Sequence, residues 1–410
     1  MEEKKENRKE QMAKVDRREF LRLTATWGVT ATLGGILGAS ASADAQEIRE
    51  WVIASAAKEK EKLKAAKYVL KYASGGRLKR WPEGPVATGS PEILGTWEFK
   101  KSLEKGSNGA IAVDLIEGGK LGFQTKLAKK TQQGIIGGCT CSTQNVAGLI
   151  PVWNVTDFPY SIGSEENYWK LQYSKEFNDT VRKKSMDSGI VFLWAFAPHR
   201  WFGLRKGVPH EVRLPEHLKG LKIRVTGSKL EQEALKTLPC NPTPLAWGEC
   251  YTGMKEGAID GIHVNVAAQV DFNFQEVQSQ LIDSGFMFSS DANWLSTKFY
   301  RKLPPSLQEV VLEAAYQGTV ATHDIFEPFH VRQVGNRPQS PPDSICGRSD
   351  VKVIILTPKE KEVWKEWLAY DQHKKKYAPL VERFGKQEFE TVLRVARASG
   401  KPEKRRWWKA

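Results

Sequence analysis

Tyr68-Val-Leu-Lys-Tyr-Ala73 and Ala110-Ile-Ala-Val-Asp-Leu-Ile116, taken with what lies between them, decide how this chain is read. Each is an apolar run of strand length with glycines beside it. Between them a loop from Gly75 to Gly89 leads into Pro91 to Lys105, where Ile93, Leu94, Trp97 and Leu103 recur at helical spacing. Strand, helix, strand is a βαβ unit, the device that joins parallel strands. A second helix is expected from about Phe123 to Gln133, and Gly134-Ile-Ile-Gly-Gly138 opens a further strand. Strand signals return at Ile190 to Phe196, Leu221 to Val225 and Val351 to Leu356, with helical segments between them, among them Glu233 to Leu238 and Gly248 to Glu256. This alternation predicts an α/β protein with mostly parallel sheet. A long amphipathic helix is expected after Pro304-Pro305, with Leu307, Val310, Val311, Ala314 and Ala315 inside, and Pro328 kinking or ending it. Thr357-Pro-Lys-Glu360 has the spacing of a capping box with proline at the first helical position.

At 410 residues and 40% hydrophobic content the chain is long enough for more than one folded domain. Its 62 Lys+Arg against 48 Asp+Glu leave a net charge of +14, which suits nucleic acid, anionic lipid or an acidic ligand. Residues 1–46 narrow the choice. Asp16-Arg17-Arg18-Glu19-Phe20-Leu21-Arg22 precedes a weakly apolar Gly- and Thr-rich stretch to Leu37, then the small-residue run Ala39-Ser-Ala-Ser-Ala-Asp-Ala45. This is the layout of a twin-arginine signal peptide with A-x-A cleavage sites. Its apolar part is about 15 residues, short of the roughly 20 that span a bilayer. The expectation is therefore a periplasmic protein that is not membrane-embedded after cleavage and has no nucleic-acid partner.

Cysteines at 139, 141, 240, 250 and 346 are odd in number, and Cys139-x-Cys141 lacks zinc-knuckle spacing. The chain has no G-x-S-x-G, no H-E-x-x-H and no cysteine cluster for iron–sulfur ligation. No enzymatic activity and no cofactor are expected.

Three stretches in order carry a resemblance: Ile116-Glu-Gly-Gly-Lys-Leu-Gly122, Leu218-Lys-Gly-Leu-Lys-Ile-Arg-Val225, and Pro244-Leu-Ala-Trp-Gly-Glu-Cys-Tyr-Thr-Gly-Met-Lys-Glu-Gly-Ala-Ile-Asp-Gly261. Together they resemble the DctP-type substrate-binding proteins of tripartite ATP-independent periplasmic (TRAP) transporters, over roughly Tyr68 to Ser399. The resemblance implies two α/β lobes joined by crossing strands, with one long helix bracing both. Lobe 1 is expected over 66–197 with 291–329, lobe 2 over 198–290 with 330–400, and a basic tail over 401–410 that frays or docks. It also implies a small organic acid as ligand and the membrane subunits of a TRAP transporter as partners. Alternatives are a Tat-exported periplasmic enzyme or a ligand-presenting protein for a sensor.

By the same resemblance Arg224, in the Lys-Ile-Arg-Val strand, pairs with the ligand carboxylate, and a guanidinium's parallel N–H donors suit that task. Arg200 takes the place of a second basic residue, with Arg205 as its competitor and His199 beside it. The family commonly carries glutamate and then asparagine or tryptophan after Asp260-Gly261, where this chain reads Ile262-His-Val-Asn265. His263 and Asn265 are candidates to replace those contacts, on one face if the segment is a strand, and metal use is left open. Trp247 packs over the ligand or seals the hinge. Asn145 and Gln144 could reach the cleft from the loop after Gly137. Asp157 and Pro159 set a turn, and Asn293 and Trp294 are further candidates near the return crossing.

Overall fold

The computed structural model describes residues 58–76, 91–196, 199–288, 291–334 and 344–409. The signal-peptide reading of residues 1–46 lies outside them.

The first run forms β1 (Tyr68–Ala73), which pairs in parallel with β2 (Ile111–Ile116) on one side and β3 (Gly138–Ser142) on the other. Helix α1 (Pro91–Gly106) is the connector, as the βαβ pattern requires. β10 (Asp291–Ser296) and β4 (Ile190–Phe196) complete a five-stranded sheet in the order β2-β1-β3-β10-β4, with β10 antiparallel to both neighbours. All seven residues of β4 are buried, because alternate side chains enter different cores. Ile190 and Phe192 pack with Trp153, whereas Val191 and Leu193 pack with Phe99.

A second, six-stranded sheet runs β11-β9-β5-β8-β6-β7. It comprises β5 (Arg200–Arg205), β6 (Lys222–Val225), β7 (Asn241–Pro244), β8 (Gly261–Asn265), β9 (Gln278–Asp283) and β11 (Lys352–Ile355). The chain passes from the first sheet to the second between β4 and β5 and returns between β9 and β10. At the crossings His199 and Phe288 form an antiparallel bridge. The two-lobed α/β fold expected from the sequence is thus present.

The long helix spans Pro305–Val334 and packs on α1 and β4. It also reaches the short helices Val266–Asp271 and Ile345–Arg348, which belong to the second lobe. It continues through Pro328 rather than ending there. Two other expectations are corrected. The strand expected from Gly134 begins at Gly138. Helices Lys374–Phe384 and Lys386–Arg397, assigned with 330–400 to the second lobe, pack on the first. Tyr377, Phe384, Phe389 and Val392 join the core of Trp153 and Trp294, with the Phe389 ring 4.3 Å from Phe158. An apolar stripe reports that a helix is buried, not which sheet covers it.

The tail docks. Trp407 is 1% exposed in the core of Phe99 and Trp194, with the Arg182 guanidinium 3.9 Å from its ring centroid. The Thr357 box forms as expected: Thr357 N–H donates to Glu360 Oε2 at 2.7 Å, and Glu360 N–H to Thr357 Oγ1 at 3.3 Å. All five cysteines are buried free thiols. Cys240 and Cys250 lie in separate cores of the second lobe, so the chain positions do not pair them.

Candidate ligand-binding site

Ligands of open α/β sheets bind beyond the carboxyl ends of the strands. In this chain those ends face each other. On the first lobe the end of β3, the end of β4 and the start of β10 coincide, since Asp291 lies opposite both Ser142 and Phe196. On the second, the start of β5 meets the end of β8, with Arg200 opposite Asn265. The end of β6 lies beside them.

Alternation along β8 sets the chemistry of this rim. Ile262 and Val264 enter the core of Trp247, so His263 and Asn265 share the other face, as expected for a strand. There His263 stacks on Phe286 at 4.3 Å with an interplanar angle of 5°. Burial pushes its imidazole down to about 4, so it is neutral at physiological pH, and neither ring nitrogen has a hydrogen-bond partner. Asn265 caps the next helix by accepting from Ala268 N–H at 2.7 Å, and its Nδ2 donates to Asp291 Oδ2 at 2.7 Å, linking the lobes.

Arg200 is 1% exposed. Its Nη2 lies 2.9 Å from Glu231 Oε1 and donates to the backbone oxygen of His263. Its Nε and Nη1 are buried without a partner. Arg205, the competitor, sits at the far end of β5, where its Nε donates to Asp260 Oδ1 at 2.9 Å. Geometry therefore favours Arg200 as the rim arginine.

Arg224 alternates with Ile223 and Val225, which are core, and so points to the Trp247 side of the sheet. Its Nε donates to Leu245 O at 3.0 Å and its guanidinium lies 5.6 Å from the Trp247 ring centroid. Both contacts hold the stem and leave the terminal nitrogens of the fork unspent. Trp247 is itself packed against Phe272 and Phe274, and its Nε1 is buried without a partner.

From the first lobe, Asp157 is buried and accepts from Gln144 Nε2 at 2.9 Å and Thr156 Oγ1 at 3.1 Å. Burial, only partly offset by Arg200, pushes its carboxyl up to about 7. Gln144 Oε1 and Thr143 Oγ1 remain without partners. Buried polar groups are nearly always paired, so the unmatched donors and acceptors of Arg200, His263 and Gln144 mark where a polar ligand would be satisfied.

The sequence profile of the bacterial extracellular solute-binding proteins, family 7 (DctP), matches residues 84–377. The chain belongs to that family. A TRAP periplasmic solute-binding protein from Polaromonas, solved with bound D-erythronate, superposes with a TM-score of 0.69 at 20% identity, covering 81% of this chain and 100% of the other. A sugar-acid-binding protein from Advenella mimigardefordensis in complex with galactonate gives 0.67 at 21%, covering 81% and 98%. The 2,3-diketo-L-gulonate-binding periplasmic protein YiaO of Escherichia coli is 25% identical over 220 residues, 54% of this chain and 66% of the relative. The chain spans about two thirds of the length of the first curated relatives it matches, from 64% to 69%.

Measured against its own expectations, this DctP-family chain brings Arg200, His263 and Asn265 together on one strand pair. Arg224 and Trp247 lie at the neighbouring strand end. Asn145 does not join them by any contact: its Nδ2 donates to Ser142 Oγ at 2.8 Å and Gln124 Oε1 at 3.3 Å within the first lobe. Asn293 and Trp294 are core, Asn293 Oδ1 accepting from Tyr72 Oη at 2.5 Å and Trp294 Nε1 donating to Cys141 O at 2.7 Å. His199 is held by Glu165, Nδ1 to Oε1 at 3.0 Å. Pro159 O accepts from Tyr370 N–H at 2.9 Å, and Glu249 is exposed.

Sequence reasoning missed Glu231. Ser228-Lys-Leu-Glu231 carries the spacing of a helix start, and Ser228 does cap Lys229–Leu235. The pairing of Glu231 with Arg200 was not readable, because it depends on how that helix lies over β5. Asp157 was read only as a turn residue, and its burial beside Arg200 is likewise tertiary. Among the described residues no group of three His, Cys, Asp or Glu side chains is placed to hold a metal ion.

Proposed function

We propose that this protein captures a small organic carboxylate between its two lobes and delivers it to the membrane subunits of a TRAP transporter. The observation that carries the reading is Arg224: a guanidinium fixed by Leu245 and Trp247, with its outer fork unspent, at the rim where the lobes meet. Arg200, His263, Asn265 and Trp247 complete the site, with Asn145 orienting the first-lobe loop. A charge-assisted, two-pronged bond to a carboxylate in such a sheltered place is worth roughly 1.5 to 3 kcal/mol. Sugar acids and related acids in the family neighbours support the same ligand class. The closed form is favoured only by contacts the ligand makes better in it than in the open form. The family's role in transport supports a carrier rather than an enzyme.

Thermal unfolding of ligand-free protein against dicarboxylates, keto acids, sugar acids and aromatic acids tests this. A ligand at about a hundred times its dissociation constant stabilises by roughly 2.7 kcal/mol, a shift of a few degrees. One acid class should give that shift, and Arg224→Ala should abolish it. An unchanged shift in the variant would remove Arg224 as the anchor.

The twin-arginine motif at Arg17-Arg18 supports export to the periplasm. Among the described residues no helix is long and apolar enough to cross a membrane. Replacing both arginines by lysine should leave the protein in the cytoplasmic fraction; undiminished periplasmic recovery would refute the route.

A further inference from the structure

Two arginines at one rim would by themselves suit a doubly charged acid, yet the cleft already holds a carboxylate of its own. Glu231 Oε1 stands 2.9 Å from Arg200 Nη2, with the side chains 0% and 1% exposed. Its Oε2 accepts from Thr226 N–H at 2.9 Å and from Thr226 Oγ1, which fixes the carboxylate in place. The residue sits in the first turn of Lys229–Leu235, where backbone N–H groups favour negative charge. Burial works against its ionisation, but Arg200 and then Arg224 outweigh it and hold the carboxyl down at about 2. Arg200 therefore carries a permanent internal counter-ion. His263 adds no charge, so Arg224 is the one cation of the three left unmatched. Asp157 and Asp291, the other acids whose fields reach Arg200, can only subtract from that surplus.

Glu231 Oε1 faces Arg200 Nη2 at 2.9 Å and His263 Nδ1 at 3.9 Å. A second ligand carboxylate entering this rim would meet the Glu231 carboxylate, sheltered from water, and among the described residues Arg200, Arg224 and His263 no further cation is left to offset the repulsion.

We propose that Glu231 is the specificity-determining residue of the cleft, admitting acids with one carboxylate and rejecting those with two. This rests on the reading that Arg224 takes the ligand carboxylate.

Calorimetric titration of ligand-free protein with acids matched in carbon number, gluconate against glucarate and erythronate against tartrate, tests the idea. The monoacid of the pair that binds should be preferred by about tenfold or more, since a misplaced like charge is costly at a sheltered site. Glu231→Gln keeps the shape and can still accept from Thr226. It should narrow the preference by about tenfold, chiefly by improving the diacid. A structural role alone would weaken both acids in parallel. A wild-type protein that binds the diacid as tightly, or a Gln variant with an unchanged ratio, overturns the proposal, and loss of both acids in Arg224→Ala would then show that the anchor still stands. Undiminished binding in Arg224→Ala, or silence toward every acid, overturns both. If the Gln variant does not fold, the wild-type preference decides alone.

Discussion

Asp157 and Glu231 both lie near Arg200, but burial governs one and charge pairing the other. Asp157 has neutral donors, Gln144 and Thr156, and burial lifts it from an ordinary 3.8 to about 7. The folded state thus holds its proton more tightly than the unfolded chain. Its contribution to stability is full below about pH 3.8 and is lost as pH rises through about 7. Glu231 runs the other way, its contribution being present above its ordinary 4.5 and lost as pH falls toward about 2. Asparagine imitates the protonated acid at Asp157. The melting temperature of Asp157→Asn, relative to wild type, should therefore improve between pH 5 and pH 8. Parallel melting curves for the two proteins across that range would show that Asp157 is ionised in the fold throughout.

At the scale of elements, the long helix lies close on α1 because glycines meet at the crossing. A Cβ added at Gly95 would run into Thr322 Oγ1 and lie 2.9 Å from Trp194 Nε1, while one at Gly318 would lie 3.1 Å from the Gly95 carbonyl oxygen. The helix axes cannot separate without also lifting off β4. Ala is the better helix former by about 1 kcal/mol, but overpacking a close crossing costs about 1 to 3 kcal/mol. Gly95→Ala should therefore destabilise the protein in a denaturant titration despite its higher propensity. A more stable variant would mean that the crossing has slack. The brace matters to function because the same helix reaches the second lobe.

Across the whole molecule the last described residues come back to the lobe that holds β1. After leaving the second sheet at β11 it returns as two helices on the first core, and the last residues cross the face of α1 and the long helix. Arg182 is buried under Trp407 and donates to Leu193 O at 3.0 Å and Gln172 O at 2.7 Å, with burial pushing its guanidinium down to about 9. Arg406 to Glu313 at 2.6 Å and Lys409 to Glu309 at 2.9 Å are exposed pairs that add little by themselves. The ring is what matters. Trp407→Ala should cost about 3 to 5 kcal/mol by leaving a cavity and stripping cover from Arg182. Ligand affinity, which depends on the rims, should stay unchanged. A loss of affinity matching the loss of stability would place the tail in the binding cycle instead.

The sequence by itself determined six of the eleven described strands, among them the one that carries Arg224, the helix between the first two, the long helix and the capping box at Thr357. All of these are local: periodicity, caps and short motifs act through neighbours along the chain. It also placed His263 and Asn265 on one face, since alternation needs only a strand. What only the tertiary structure decided was which buried face meets which. The helices after Lys374 could have covered either sheet, and the rings of Phe158 and Trp153 settled it. Arg200 and Arg205 read alike in sequence, and the opposite ends of β5 separate them. Glu231 stands against Arg200 because a helix start from one part of the chain lies over a strand end from another. A charge pair of that kind is fixed by packing between elements, to which no spacing along the chain corresponds.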